Sequence, residues 1–80
     1  MVITEKREEI SAFIMETLGH GVTVSSVVGE YTKQEKAMIH TVCKRVEAVK
    51  LRTKIKELDP KAFIIITTSS EIIGRGFRGV

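Results

Sequence analysis

The end of the chain carries the residue spacing that most resembles a site for chemistry. Residues 74–79 have the pattern G-x-G-x-x-G, they follow an apolar segment at residues 62–67, and Arg75 and Arg78 add positive charge. In a dinucleotide-binding turn this spacing lets the backbone approach a pyrophosphate, which the N-terminus of the next helix then holds. No helical segment and no acidic residue about 20 positions further on follows within this sequence. The pattern therefore predicts a tight turn with Phe77 folded onto the core, or a backbone-lined anion site.

A nucleic-acid-binding role has weaker support in the same segment. Arg75, Gly76 and Phe77 match the start of the RNA-recognition consensus K/R-G-F/Y-G/A-F-V, but Arg78 stands where the consensus has glycine or alanine. One tyrosine and three phenylalanines also make a poor platform for stacking bases. A nucleic-acid-binding domain is therefore the least favoured function class, and we expect no nucleic-acid partner.

The side chains that perform catalysis in other proteins are few. Asp59 is the single aspartate and precedes Pro60, where it is expected to end a helix, while Cys43 points to the core face of a predicted strand. His40 lies in the same strand and is expected in the core or in an interface. His20 stands between two glycines, in a turn that is either solvated or binds a ligand. Because the histidines and the cysteine share no metal-ligand spacing, we expect no enzyme, no metal and no cofactor.

The net charge of +3 is unevenly distributed along the chain. Residues 1–40 hold four Lys or Arg and six Glu, whereas residues 41–80 hold nine Lys or Arg and four Asp or Glu. The basic half is either a solvated helix face or a surface for an anionic partner such as a phosphate, a nucleic acid or a lipid head group. No apolar run approaches the roughly 20 residues that span a bilayer, and the charged N-terminus is unlike a signal peptide.

The first elements that position these residues follow from the spacing of apolar side chains. A short strand is predicted at residues 2–4, with Thr4 as the N-terminal cap of the next helix and Gly19 as its left-handed end. That helix is indicated by apolar residues that recur on one face: Ile10, Phe13, Ile14 and Leu18.

The remaining elements complete a known arrangement. Residues 22–28 are rich in β-branched side chains, and residues 29–34 form a hairpin connection into an alternating strand at residues 37–46. Helical spacing returns over residues 48–58, and residues 62–67 form the last strand. The order β-α-β-β-α-β predicts the ferredoxin-like fold, a four-stranded antiparallel sheet with two helices on one face. A chain of 80 residues predicts one such domain.

The last predicted strand is apolar on both faces, because residues 62–66 are five consecutive apolar residues. Met38 and Val42 add to the sheet face opposite Ile39 and Cys43. A sheet with one face in water should alternate cleanly, so we expect additional chain or a second subunit to cover the open face. This pattern predicts a homo-oligomer, a dimer or a trimer, in which sheet faces pack or edge strands pair.

Four spaced motifs occur in order over nearly the whole chain: Gly21-Val22-Thr23, Gly29-Glu30-Tyr31-Thr32, Asp59-Pro60-Lys61-Ala62-Phe63 and Gly74-Arg75-Gly76-Phe77. Together they resemble the small soluble domain at the C-terminus of YitT-family bacterial membrane proteins. The chain departs from the family's pattern at His20, where arginine is usual, and at Arg75, where an acidic residue is frequent.

The resemblance implies a PII-like domain that is excised from a longer protein. In that protein it would be attached to its own membrane region, on the cytoplasmic side of the cell membrane. The function that the resemblance favours is a non-catalytic regulatory or ligand-sensing role. The alternative is a structural oligomerisation module that binds no ligand.

Ligands of PII-like domains lie among loop backbone groups near subunit contacts, which implies a phosphate-bearing metabolite or nucleotide for this chain. If the second and the last strand both run opposite to the first, the terminal glycine turn neighbours the end of the second strand. The predicted cleft at that place is formed by Gly29, Tyr31, Lys33, Gly74, Arg75, Gly76 and Phe77. A second candidate site is the turn that holds His20, Gly21 and Thr23.

Overall fold

Seven segments of regular structure form the fold in the part of the chain, residues 1–68, that the structure, a computed structural model, describes. They are β1 (Val2–Thr4), α1 (Arg7–Ala12), a π-helical segment that continues α1 (Phe13–Leu18), β2 (Thr23–Val28), β3 (Glu35–His40), α2 (Arg45–Leu58) and β4 (Phe63–Ile64). The predicted order β-α-β-β-α-β is confirmed. The glycine-rich segment at residues 74–79 lies outside the described residues.

The four strands form one antiparallel sheet in the order β2-β3-β1-β4. Successive side chains of a strand point to opposite faces, so paired residues form rows across the sheet. The row that packs toward the helices is Val24, Ile39, Val2 and Ile64. The neighbouring row, on the open face, is Ser25, Met38, Ile3 and Phe63.

The hydrophobic core fills the space between the sheet and the two helices. Ile10 and Ile14 contribute to it from the first helix, and Leu51 and Ile55 contribute from α2. Both helices therefore cover the same face of the sheet, as predicted. On the open face, Phe63 remains 60% exposed in the single chain.

The start of the first helix differs from the prediction, whereas its end agrees. The prediction that Thr4 caps this helix is wrong, because the N-cap is Lys6 and Thr4 is buried in β1. The Thr4 hydroxyl donates to Asp59 Oδ2 at 2.7 Å and accepts the Lys6 N–H at 3.0 Å. Gly19 ends the helix with a φ of 73°, in the left-handed region that favours glycine.

The boundary between β3 and α2 lies earlier than predicted. β3 ends at His40 rather than at residue 46, and α2 begins at Arg45 rather than at residue 48. The physical reason is a helix cap: Glu47 Oε1 accepts the Lys44 backbone N–H at 2.8 Å, which makes Lys44 the N-cap and Arg45 the first residue of the helix. Cys43 therefore lies half-buried in the loop between β3 and α2, and the prediction that it is a mid-strand core residue is wrong.

β4 spans two residues, Phe63–Ile64, and not the predicted residues 62–67. It pairs with β1, which has three residues, so few backbone groups are available to extend the ladder. The pairing continues for one further step, because the Ile65 N–H donates to the Met1 carbonyl and the Met1 amino group donates to the Ile65 carbonyl, each at 2.8 Å.

β2 runs in the same direction as β1, because each of them pairs antiparallel with β3. The prediction that β2 runs opposite to β1 is wrong, whereas β4 does run opposite to β1. The end of β4 consequently lies at the sheet end where β2 begins, and not at the end where β2 finishes.

Candidate functional site at the end of the sheet where β2 begins

Four strand ends meet at this end of the sheet, one of them the start of β1 at Val2. The register pairs Thr23 with His40 and Val2 with Ile64, which brings together the start of β2, the end of β3 and the end of β4. The loop at residues 41–44 and the first turns of α2 lie beside them. The hairpin at residues 29–34 is at the opposite end of the sheet.

The turn after the first helix is tied to the start of α2 by a pair of side chains. His20 Nε2 lies 2.8 Å from Glu47 Oε1, and the same oxygen accepts the Lys44 backbone N–H. The two side chains are 19% and 21% exposed, so His20 is partnered rather than solvated. The Lys44 N–H and then His20 hold the pKa of Glu47 below its ordinary value. The sequence patterns did not indicate Glu47 as a site residue, although a glutamate three residues after the N-cap is typical of a helix cap.

We expect Glu47→Ala to lower the melting temperature more than His20→Ala does. Glu47→Ala leaves both the Lys44 N–H and His20 without their acceptor, whereas His20→Ala leaves the Lys44 contact in place. The measurement is thermal unfolding by circular dichroism at neutral pH. Glu57→Ala is the matched control, because the Glu57 carboxylate is exposed and lies 3.9 Å from its lysine partner on the same helix. Equal losses for Glu47→Ala and Glu57→Ala would contradict the capping role.

A cleft of about 620 Å³ lies between the end of β4 and α2, and we refer to it as the β4–α2 cleft. Apolar side chains form most of its wall, among them Val2, Val46, Leu51, Ile55, Ile64 and Ile66. Three cationic residues, Lys44, Arg45 and Arg52, also line it, and its described lining contains no Asp or Glu. Arg45 and Arg52 are seven residues apart and therefore share one face of α2. The cleft combines an apolar wall with a positively charged rim.

A second cleft of about 800 Å³ adjoins the first, and we refer to it as the histidine cleft. Its lining includes all three residues of the second predicted site together with their neighbours: Gly19, His20, Gly21, Thr23 and His40. The Thr41 hydroxyl donates to the Gly21 carbonyl at 2.9 Å and holds the turn against the end of β3. Thr41, Val42 and Ile65 line both clefts, so the two form one concave region. Ligand binding at this turn stays a prediction.

Cys43 and His40 lie beside these clefts without a catalytic arrangement around them. Burial first, and then the charge of Glu47, raise the pKa of the Cys43 thiol, so the thiol is protonated at neutral pH and is a weak nucleophile. His40 is exposed at the end of β3, which excludes a core position and leaves the predicted interface role open. Among residues 1–68, no group of three or more His, Cys, Asp or Glu side chains is placed to hold a metal ion.

Asp59 is the most fully bonded carboxylate in the described chain, and its role is structural. It is 8% exposed and accepts hydrogen bonds from the Thr4 hydroxyl at 2.7 Å, the Lys61 N–H at 3.1 Å and the Glu5 N–H at 3.3 Å. The Thr4 hydrogen bond is the main cause that lowers the pKa of Asp59. Asp59 ends α2 as predicted and also ties that helix to β1.

The described residues of the first predicted site lie away from both clefts. Gly29, Tyr31 and Lys33 lie in the hairpin at the far end of the sheet, and none of them lines either cleft. The Lys33 N–H donates to the Gly29 carbonyl at 2.6 Å, Lys33 has a φ of 60°, and Tyr31 is fully exposed. This hydrogen bond and the left-handed backbone of Lys33 are typical of a tight turn. The other four residues of that site, Gly74, Arg75, Gly76 and Phe77, lie outside the described residues.

Comparison with known proteins assigns the chain to a family. The sequence profile described as "Uncharacterized protein conserved in bacteria (DUF2179)" matches residues 20–74. The chain belongs to the DUF2179 family. The crystal structure of a DUF2179 protein from Eubacterium ventriosum is 36% identical and superimposes with a TM-score of 0.64 over 82% of this chain and 92% of that one. The predicted fold is thus confirmed by a solved DUF2179 domain.

The DUF2179 chain is also similar to part of several membrane proteins. It is 31% identical to the UPF0750 membrane protein YvjA of Bacillus subtilis over 98% of its own length, which is 28% of that relative. It is 35% identical to the UPF0750 membrane protein YitT of the same organism over 92% of its length, which is 26% of that relative. The predicted resemblance to YitT-family proteins is confirmed, and the chain spans about a quarter of their length. Within residues 1–68 the structure contains no helix that is long and apolar enough to cross a bilayer.

Proposed function

We propose that this DUF2179 domain is a non-catalytic, ligand-sensing domain of a UPF0750-type membrane protein. The observation that carries the proposal is the β4–α2 cleft, which has an apolar wall and three cationic lining residues. A ligand that matches this cleft has an anionic group and an apolar or planar body, as a nucleotide or another phosphate-bearing metabolite does. We place the domain on the cytoplasmic side of the membrane, where its single thiol, Cys43, would remain reduced.

The charges of the β4–α2 cleft favour an anion because none of its three cationic side chains belongs to an ion pair in the described chain, although the charge of Lys44 also acts on Glu47. The ion pairs of residues 1–68 join His20 with Glu47, Lys33 with Glu30, and Lys54 with Glu57. None of these pairs includes Lys44, Arg45 or Arg52. Arginine forms bidentate hydrogen bonds with phosphate and remains charged at any physiological pH. Binding a phosphate group at this rim therefore adds charge-assisted hydrogen bonds without first breaking an internal ion pair.

The titratable groups around the clefts support binding rather than catalysis. The Asp59 carboxylate is occupied by three hydrogen bonds, and Glu47 is occupied by the Lys44 N–H and His20. The Cys43 thiol has a raised pKa. A general base needs a pKa near the working pH, and a nucleophile needs a base or cation that activates it. These three groups have neither property.

A structural oligomerisation module is the second candidate function, and the open face of the sheet favours it. Phe63 is 60% exposed and lies on the face away from the helices, in the same row as Ile3 and Met38. Exposed apolar side chains that cluster in this way often mark interfaces. In this alternative the clefts would bind no ligand, so the two functions give opposite results in a ligand-binding experiment.

Arg45→Ala combined with Arg52→Ala should abolish the thermal shift that a nucleotide produces. ATP at about ten times its Kd should raise the melting temperature of the unaltered chain by about 5 °C or more. Adenosine, which lacks the phosphates, and inorganic phosphate, which lacks the apolar body, should each give a smaller shift. The matched control is Lys50→Ala combined with Lys56→Ala, which removes the same charge from exposed positions of α2 outside the cleft. The control should keep the shift.

Three outcomes would contradict this assignment. Equal loss of the shift in the two double variants would show that the nucleotide is attracted by the positive charge of the helix in general and is not bound in the cleft. Loss of the shift in Lys33→Ala, with the arginine pair unaffected, would place the ligand at the hairpin of residues 29–34. The absence of any shift with phosphate-bearing compounds at millimolar concentration in the unaltered chain would favour the oligomerisation module.

A further inference from the structure

The outer edge of β2 is an unprotected edge of the sheet. Among the described strands β2 pairs with β3 alone, and its sequence TVSSVV contains neither a charged residue nor proline. Natural edge strands usually carry a lysine, a proline or a bulge, or are covered by another segment, and these features prevent pairing with other chains. The opposite edge strand, β4, has only two residues. β2 is therefore the edge to which another strand can add.

The backbone groups of alternate β2 residues point away from β3. The Gly29 N–H donates to the Gln34 carbonyl at 3.1 Å, so these two residues form a hydrogen-bonded pair directly after the last β2–β3 pair, Val28 with Glu35. Hydrogen-bonded and non-hydrogen-bonded pairs alternate along an antiparallel ladder. The N–H and C=O groups of Val24, Ser26 and Val28 therefore point outward, where the described part of the chain supplies no backbone partner for them.

We infer that β2 pairs antiparallel with β2 of a second copy of this chain, about a twofold axis at Ser26. An axis perpendicular to the sheet places Ser26 opposite its own symmetry mate and Val24 opposite the partner's Val28. The outward groups of all three residues then form hydrogen bonds with one another, as a self-complementary interface requires. The two sheets become one continuous eight-stranded sheet with all helices on the same side.

The side chains of β2 are compatible with this pairing. Residues 21–29 carry no charge, so the contact brings no like charges together. Val28 is 56% exposed in the single chain and would gain an apolar neighbour in Val24 of the partner subunit. β2 and β4 are the two opposite edge strands of the sheet, so pairing at β2 does not depend on ligand binding at the β4–α2 cleft.

Ser26→Lys should weaken the dimer, because it brings two positive charges together at the twofold axis. Ser25→Lys is the matched control: the backbone groups of Ser25 face β3, and its side chain lies on the opposite sheet face, where it does not meet its symmetry mate. Sedimentation equilibrium from tens to hundreds of micromolar should show a dimer for the unaltered chain and for Ser25→Lys. We expect the dissociation constant of the dimer to be at least about tenfold higher for Ser26→Lys. Circular dichroism verifies that each variant is folded.

A disulfide experiment tests the register without relying on affinity. In a Cys43→Ser background, Ser26→Cys should form a crosslinked dimer under mild oxidation, because opposite residues of a hydrogen-bonded pair have Cα atoms about 5.5 Å apart, within disulfide reach. Ser25→Cys in the same background should crosslink far less. A monomer throughout the concentration range, a dimer that Ser26→Lys leaves unchanged, or equal crosslinking at both positions would each overturn the inference. The second of these outcomes would move the interface to the open face around Phe63.

Discussion

Asp59→Ala should lower the free energy of unfolding by about 3 kcal/mol, because it removes the acceptor of three hydrogen bonds, including one from a buried hydroxyl. Thr4 is 1% exposed, so its hydroxyl would keep the Lys6 N–H as a donor but would lose the acceptor of its own proton without gaining water. The Lys61 N–H and the Glu5 N–H would lose the same carboxylate. Urea denaturation followed by circular dichroism measures the loss, and a small decrease in the midpoint would contradict it.

Two variants separate the charge of Asp59 from its shape. Asp59→Asn keeps an oxygen that the Thr4 hydroxyl can reach but removes the negative charge, so it should cost less than Asp59→Ala. Thr4→Val removes the hydroxyl and leaves the two backbone donors of Asp59 in place. If Asp59→Ala were no more destabilising than Glu57→Ala, an exposed carboxylate on the same helix, the structural role of Asp59 would be refuted.

The same carboxylate should make the domain less stable in acid. Its hydrogen bonds, with that of Thr4 the largest, lower the pKa of Asp59 in the folded chain. The unfolded chain therefore takes up a proton before the folded chain does as the pH decreases. The stabilisation is fully present above the ordinary aspartate value of about 4 and is lost as the pH falls from there through the lowered folded pKa. Asp59→Asn should flatten this part of the stability profile.

The sequence predicts the elements of the fold correctly where their ends depend on neighbouring residues in the chain. Gly19 ends the first helix in the left-handed conformation, and Asp59 ends α2 before Pro60, because each depends on a few neighbouring residues. The end of β3 was missed because Val42 and Cys43 favour strands as strongly as the residues before them do. The helix cap formed by Glu47 outweighs that preference.

The candidate site was less accessible, because it depends on strand directions and on contacts between distant residues. The predicted cleft at Gly29 followed from the assumption that β2 runs opposite to β1, although the neighbour that fixes the direction of β2 is β3. His20 and Glu47 are 27 positions apart and share no periodic pattern, so only the fold brings them together. The sequence shows the cations of the β4–α2 cleft only as part of an excess of basic residues in the second half of the chain. It does not show that they lie beside an apolar wall, which is the feature that indicates the class of ligand.

Ile39→Ala should be the most destabilising of the alanine substitutions considered for the sheet, with a loss of about 4 kcal/mol. Ile39 is fully buried at the centre of the sheet, where its side chain packs between β2, β1 and the core residues of both helices. Its removal leaves a cavity that the rigid sheet cannot close. Met38→Ala, one position away and on the open face, should cost only about 1 kcal/mol, because Met38 is half-buried with no helix above it.

The comparison of Ile39→Ala with Met38→Ala also decides how the open face is used. Chemical denaturation should be repeated at a few micromolar and at several hundred micromolar of the chain. If the β2 edge carries the contact between copies, the small effect of Met38→Ala should not change with concentration. An effect that grows toward that of Ile39→Ala as the concentration rises would show that a second subunit covers Met38 and Phe63, and it would contradict pairing at the β2 edge as the main contact.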